Sequence, residues 1–171
     1  LALLPDVQIY YNAVHYALKY DEFLNPKNVE GDIKTAKAHL KAGMDRAASL
    51  KDGKAPWTTA TGNIVRGYVS KIDGSVQPYG VVVPASFKPD YPHRYRLDFW
   101  CHGRGETLNE LTFLQQRSTS AGEFTPPNAF VLHLYGRYCC ANKLAGEIDL
   151  LEALEHAKAN YPIDEDRLVI R

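Results

Sequence analysis

The order of apolar patterns in the later part of the chain restricts its fold most. Runs at residues 64–72 and 79–84 flank Asp73-Gly74, a turn signal that predicts an antiparallel hairpin. Three further strand-like runs alternate with helical spacing, in the order 95–101, helix 107–117, 130–134, helix 146–161 and 168–170. Strands that alternate with helices predict parallel pairing with right-handed crossovers. The pattern therefore favours an α/β fold in which a hairpin leads into parallel strands.

The rest of the chain extends this organisation. The run at residues 130–134, Phe-Val-Leu-His-Leu, is almost continuously apolar, as expected for a strand covered on both faces. Residues 1–60 have helical spacing instead, with Asp6 as the expected N-cap of the first helix. A chain of 171 residues is long enough to bury one sizeable core. We predict a helical N-terminal segment, residues 1–60, followed by a sheet-containing part, residues 61–171.

Charge and cysteine content exclude several kinds of partner. Lys plus Arg and Asp plus Glu each number 20, so the net charge is zero and nothing favours nucleic acid or an anionic membrane. No apolar run approaches the roughly 20 residues of a membrane-spanning helix. The three cysteines, Cys101, Cys139 and Cys140, match no metal-binding or disulfide pattern. We expect no nucleic acid, membrane, metal or cofactor partner.

The densest chemical signal is the stretch Asp-Phe-Trp-Cys-His-Gly-Arg-Gly-Glu-Thr at residues 98–107. Gly103 and Gly105 allow a tight turn after a buried strand, and Thr107 with Glu110 fits a capping box that predicts a helix from Thr107. Backbone N–H groups at such a turn can hold an anion. An ordinary strand-to-helix turn remains the alternative, because no phosphate-loop lysine and no complete dinucleotide motif is present.

Four stretches together carry a family resemblance: IVRGYVSKIDGSVQPYGVVVP, LDFWCHGRGE, FVLHLYGR and EIDLLEALEHAKANYPIDEDRLVIR. From about residue 64 to residue 171 the chain resembles the first half of an α/β-hydrolase. It is most similar to bacterial prolyl oligopeptidase-like serine hydrolases and esterases. In that family the loop after the third strand supplies one backbone N–H of the oxyanion hole.

The resemblance implies roles for the residues of two loops. Gly103 and Arg104 are the expected oxyanion-hole positions, with the Arg104 N–H as the expected donor, and His102 is expected to orient the loop. The expected substrate cleft is formed by His102, Gly105, Glu106, Tyr135 and Arg137.

The chain departs from the family at the nucleophile. The family's serine lies in G-x-S-x-G directly after the fifth strand, and no serine of this chain has glycines two residues to each side. We therefore expect no catalytic residue in this chain, the triad beyond Arg171, and no activity of the 171 residues alone. The expected partners are the remaining C-terminal portion, on the same or a separate polypeptide, and a small ester or peptide. The opening Leu-Ala-Leu-Leu-Pro-Asp-Val fits what remains after signal removal, in a secreted or periplasmic protein.

Two other hypotheses stay open. One is a non-catalytic α/β binding module that holds an anion at a helix start formed by residues 103–107. The other is a metal-dependent hydrolase built on His93, His102, His133 and nearby carboxylates, although no H-E-x-x-H or comparable ligand spacing is present. Peptide and ester substrates are equally compatible with the sequence, because only about 60 helical residues precede the sheet where classical prolyl oligopeptidases have a propeller.

Overall fold

The computed structural model describes residues 2–25, 27–103, 105–137 and 143–171. The chain begins with two helices and a short 3-10 turn, followed by strands and helices in alternation. The elements are α1 (Pro5–Lys19), α2 (Val29–Lys51), the 3-10 turn (Pro56–Thr58), β1 (Gly62–Val69), β2 (Val76–Val83), β3 (Tyr95–Trp100), α3 (Glu110–Thr119), β4 (Ala129–Leu134), α4 (Ala145–Asn160) and β5 (Ile163–Ile170). None of the helices in the described ranges is both long enough and apolar enough to span a membrane.

The five strands form one mixed sheet in the order β1-β2-β4-β3-β5. β1 and β2 form the antiparallel hairpin, with Gly74 at a positive φ of 70° in the turn between them. β2 also pairs antiparallel with β4, while β4 with β3 and β3 with β5 are parallel. This arrangement confirms the predicted α/β fold. β5 is longer than its predicted run, because it begins at Ile163.

Both faces of the sheet are covered. On one face, Phe99, Phe130 and Leu132 pack with Ala153 and Ala157 of α4. On the other face, Ile9 and Ala13 of α1 and Phe113 and Leu114 of α3 pack with Val65 of β1. All six residues of β4 are buried, as the near-continuous apolar run predicted.

Helix α1 lies unusually close to β1 at Gly67. A Cβ at this position would lie 2.4 Å from the Pro5 carbonyl oxygen and 2.7 Å from the Ile9 methyl carbon Cγ2. Only glycine permits this approach, since its lack of a side chain lets helix backbone pack directly on strand backbone.

Asp6 corrects the prediction made for the first helix. Pro5 begins the helix, so Asp6 lies inside the first turn and does not cap it. Its carboxylate is 1% exposed and accepts hydrogen bonds from Arg66 Nε at 2.9 Å, the Gly67 N–H at 2.9 Å and Trp57 Nε1 at 2.9 Å. The cap prediction is wrong because Asp6 serves as a buried counter-ion.

Arg66 extends this network across the molecule. Its guanidinium is 0% exposed and also donates to Asn160 Oδ1 at 3.0 Å and to the Tyr161 hydroxyl at 3.2 Å. One fully buried cation therefore connects α1, β1 and the end of α4.

Candidate functional site

The candidate site lies where β3 and β4 end side by side. The two strands are parallel neighbours, with Trp100 opposite His133. The helix after β3 packs on one face of the sheet and the helix after β4 on the other. Divergent connections of this kind open a crevice at the carboxyl ends of the strands, which is where α/β proteins bind ligands. The predicted site residues lie in the two loops that border this crevice.

His102 connects the two loops. Its Nδ1 lies 2.8 Å from the Gly103 carbonyl oxygen, and its Nε2 lies 3.0 Å from the Tyr135 carbonyl oxygen. Because both partners are acceptors, a ring N–H must donate in each hydrogen bond; a neutral ring can supply one of them and an imidazolium both. The ring thus holds the loop after β3 against the loop after β4.

Gly103 has open space beside it. A Cβ there would meet no atom of the described residues within 4 Å, so within this part of the chain its backbone is open to a ligand. Gly105 and the exposed Glu106 follow in the same loop. Arg104, the other predicted oxyanion position, lies outside the described residues.

The helix after this loop starts later than predicted. α3 begins at Glu110 with Asn109 as N-cap: the Asn109 side chain accepts from the Thr112 N–H at 2.8 Å, and the Thr112 hydroxyl accepts from the Asn109 N–H at 3.1 Å. The predicted capping box of Thr107 and Glu110 is therefore wrong. Residues 103–107 precede the helix, so they do not form its N-terminus, and the binding-module hypothesis loses the helix start on which it depended.

Arg137 follows β4 as predicted, and the nitrogens of its guanidinium all donate to other residues of the protein. Nε donates to the Asp149 carboxylate at 3.0 and 3.1 Å, one terminal nitrogen donates to Asp73 Oδ2 at 2.7 Å, and the other donates to Ser70 Oγ at 2.8 Å. Burial lowers the pKa of Arg137, but the bonds to Asp73 and Asp149 outweigh it and raise the pKa above its usual value. This side chain ties the hairpin turn to α4.

The Tyr135 ring lies in the core. It is buried and packs against Phe113 of α3, with ring centroids 5.3 Å apart. The Tyr135 carbonyl therefore contacts His102 at the crevice, while its ring packs in the core below the crevice.

The end of β5 also reaches the loop after β3, a feature that sequence reasoning missed. The Arg171 N–H donates to the Phe99 carbonyl at 2.9 Å, and the Cys101 N–H donates to the Arg171 carbonyl at 3.0 Å. The Arg171 Nε donates to Asp98 Oδ1 at 2.8 Å, and its guanidinium lies 4.2 Å from the centre of the Phe124 ring. Asp98, an acidic residue inside an apolar strand run, is the sequence feature that could have indicated this contact. It is 0% exposed, and a buried carboxylate needs a cationic partner.

The three histidines of the metal hypothesis do not converge on one point, because His102 and His133 border one small cavity and His93 lies apart from them. His93 packs its ring edge against Tyr95, at the opposite end of β3 from His102. The nitrogens of His133 contact Arg117 at 3.0 Å and the Ala121 carbonyl at 3.1 Å. Within the described ranges, no group of three or more His, Cys, Asp or Glu side chains could hold a metal ion.

Comparisons with known proteins add a distant structural likeness. No match was found among protein-family models or among curated proteins. Among solved structures, a crystal structure of a thermostable esterase is similar, with 21% sequence identity and a TM-score of 0.44. The match covers 63% of this chain and 33% of the esterase chain, so this chain spans about one third of the length of that structure.

Proposed function

We propose that this chain is the first part of a serine hydrolase that cleaves carboxylic esters or peptides, of the prolyl oligopeptidase-like group. In this proposal the chain supplies the sheet and the oxyanion loop, while the nucleophile, its histidine and its acid follow Arg171. One observation carries the proposal: the ends of β3, β4 and β5 meet at the His102-Gly103 loop.

The hydrogen bonds of Arg171 support this position for the nucleophile. The Arg171 carbonyl accepts from the Cys101 N–H, so a residue joined to Arg171 begins beside the loop that contains Gly103. Consecutive Cα atoms are 3.8 Å apart, so a serine on the turn that follows β5 lies within a few residues of this loop. In α/β-hydrolases the serine occupies this turn.

The proposed chemistry divides between the two parts of the enzyme. The serine oxygen attacks the carbonyl carbon of the substrate while a histidine takes the serine proton, and the carbonyl oxygen becomes an oxyanion. The oxyanion receives hydrogen bonds from the N–H groups of Gly103 or Arg104 and of the residue after the serine. The histidine then protonates the leaving alcohol or amine, and water hydrolyses the acyl-enzyme. His102 keeps the loop N–H groups in position through the Tyr135 carbonyl.

Labelling with a fluorophosphonate tests this proposal. The isolated 171 residues should neither react with the probe nor hydrolyse p-nitrophenyl esters. The native polypeptide or complex recovered with an antibody against these residues should react. Clear labelling of the isolated chain would contradict the position of the nucleophile, and an unlabelled native protein would contradict serine hydrolysis.

Gly103 offers a matched pair of variants in the native enzyme. Gly103→Pro removes the N–H, and if this group donates to the oxyanion, kcat should fall about 10²- to 10³-fold. Gly103→Ala keeps the N–H, and its Cβ meets no atom of the described residues within 4 Å, so its activity should stay well above that of Gly103→Pro. Pro and Ala at Arg104 test the neighbouring N–H in the same way. Equal activity of the Pro and Ala variants at both positions would rule out the loop as oxyanion donor.

A further inference from the structure

A small cavity adjoins the candidate site on the α3 side of the sheet. It has a volume of about 70 Å³ and lies between α3 and the ends of β3 and β4. Its apolar wall includes Trp100 and Phe113, and its polar groups come from His102, Gln116, Arg117 and His133. His102 therefore borders both this cavity and the crevice above it.

The Arg117 side chain is held in place on two sides. Its aliphatic stem lies on β2 at Gly80, where a Cβ would come within 2.7 Å of the Arg117 Cβ and Cγ. At the other end, Arg117 donates to His133 Nδ1 at 3.0 Å, while His133 Nε2 donates to the Ala121 carbonyl at 3.1 Å. Burial and the nearby Arg117 lower the pKa of His133 to about 4, so the ring stays neutral and keeps Nδ1 as an acceptor.

Arg117 has no counter-ion among the residues that the structure describes. Arg66, Arg137 and Arg171 each pair with an aspartate within 3.0 Å, whereas burial alone shifts the pKa of Arg117, and shifts it downward. Partly buried charges in proteins are normally paired. A guanidinium that is held rigidly, lacks a carboxylate and borders a cavity is therefore suited to bind an anion.

We propose that this cavity binds a carboxylate group. The remaining N–H groups of Arg117 match a carboxylate in a bidentate arrangement, and the Gln116 amide supplies a further donor at the rim. A cavity of about 70 Å³ admits a group the size of acetate. The inference rests on the proposed function and extends it to the substrate. An ester or amide whose acyl part carries a carboxylate would place that carboxylate in the cavity, with the scissile carbonyl above His102.

Titration of the 171-residue chain with sodium acetate, followed by NMR at constant ionic strength, tests the site directly. The Trp100 indole N–H and the Gln116 side-chain amide should shift in a saturable way with acetate, and acetamide, the neutral isostere, should cause no such shift. Arg117→Gln should weaken acetate binding at least tenfold. This variant keeps the carbon atoms that lie on Gly80, so the packing is retained.

Three further variants keep the test decisive. Arg117→Lys should retain part of the affinity because it retains the charge. Gln116→Leu changes an exposed residue and should weaken binding severalfold even if Arg117→Gln fails to fold. Arg167→Gln, which removes an exposed cation paired with Asp164, should leave binding unchanged.

Two outcomes would overturn the proposal: shifts that grow linearly with acetate, or equal weakening by Arg117→Gln and Arg167→Gln. Saturable acetate binding together with an unlabelled native protein would support the carboxylate site and contradict only the proposed serine hydrolysis.

Discussion

At the scale of single residues, replacement of Asp6 should be strongly destabilising. Its carboxylate is the counter-ion of Arg66, and both side chains are almost completely buried. Asp6→Ala would leave a buried, unpaired guanidinium, so we expect the free energy of unfolding to fall by about 3–5 kcal/mol. Urea unfolding followed by circular dichroism measures this loss.

Two further variants distinguish the effect of burying this ion pair from the effect of losing any ion pair. Lys41→Ala breaks an exposed 2.6 Å pair with Asp45 and should cost less than about 1 kcal/mol. The double variant Asp6→Leu with Arg66→Met should recover part of the stability lost in Asp6→Ala, because the Arg66 guanidinium no longer lies buried without its counter-ion, while Trp57 and Gly67 still lack their acceptor. A loss in Asp6→Ala no larger than that in Lys41→Ala would contradict the role assigned to Asp6.

Residue roles could be predicted from sequence only where their partners are local. Asp6 precedes an apolar helical stripe, so the cap prediction followed the nearest neighbours, yet its partners Trp57, Arg66 and Gly67 lie 51 to 61 residues away. His102 was expected to orient its loop, but the Tyr135 carbonyl, 33 residues later, could not be identified as the acceptor. Such partners are set by the sheet order, which no short pattern contains.

At the scale of elements, the contact between α1 and β1 depends on Gly67. In Gly67→Ala the new methyl group would clash with the Pro5 carbonyl, which is helix backbone and cannot rotate away. We expect α1 to move off the sheet and the free energy of unfolding to fall by about 1–3 kcal/mol. Gly103→Ala, which meets no atom of the described part of the chain within 4 Å, is the matched control and should unfold at the parental urea concentration. Equal midpoints for both variants would show that α1 tolerates the displacement.

The elements themselves were largely predictable, and their ends less so. The hairpin, the parallel strands and α4 follow from period and turn residues. Before α3, Thr107 with Glu110 fits the usual capping-box pattern, whereas the box that forms pairs Asn109 with Thr112, a threonine where the pattern has Glu or Gln. The Asn109 side chain also donates to the Glu22 carbonyl, 87 residues earlier, a contact that the sequence around the cap does not contain.

At the scale of the whole molecule, the buried His133 and Glu110 and the partly buried His156 should set the pH of greatest stability. The pKa values of His133 and His156 are lowered to about 4, chiefly by burial. Histidine in the unfolded chain titrates at about 6.5, so below that pH the unfolded chain binds more protons than the folded one. Stability is therefore lost as the pH falls towards 4. Burial, with Glu22 nearby, raises the pKa of Glu110 to about 8, so stability is also lost as the pH rises from 4.5 to 8. Urea midpoints measured across this range should peak between about pH 6 and 7.

Glu110→Gln tests the alkaline side of this profile. Glutamine resembles the protonated carboxyl, so the variant should gain on the order of 2 kcal/mol over the parent between pH 6.5 and 8. Glu147→Gln, at an exposed position in α4, should leave the profile unchanged. If the loss of stability above pH 6.5 persists unchanged in Glu110→Gln, a group other than Glu110 causes it.

The class of the fold could be predicted from the alternation of strands and helices, but the strand order could not. β4 lies between β2 and β3, and this placement forms the crevice beside His102. The strand order depends on pairing between strands that are far apart in the sequence. Tyr79 of β2, for example, lies opposite Leu134 of β4, more than 50 residues later.

The buried cation at Arg66 also bears on the order in which the protein can assemble during synthesis. Asp6 leaves the ribosome first, Arg66 follows 60 residues later, and Tyr161 follows Arg66 by another 95. Until α4 has been made, Arg66 lacks its last two acceptors and the sheet lacks the cover of one face. Helix α1 can dock on β1 and α3 earlier, but Arg66 stays incompletely paired until the end of α4 has been made. A ribosome that pauses before Asn160 would present an exposed apolar sheet to chaperones.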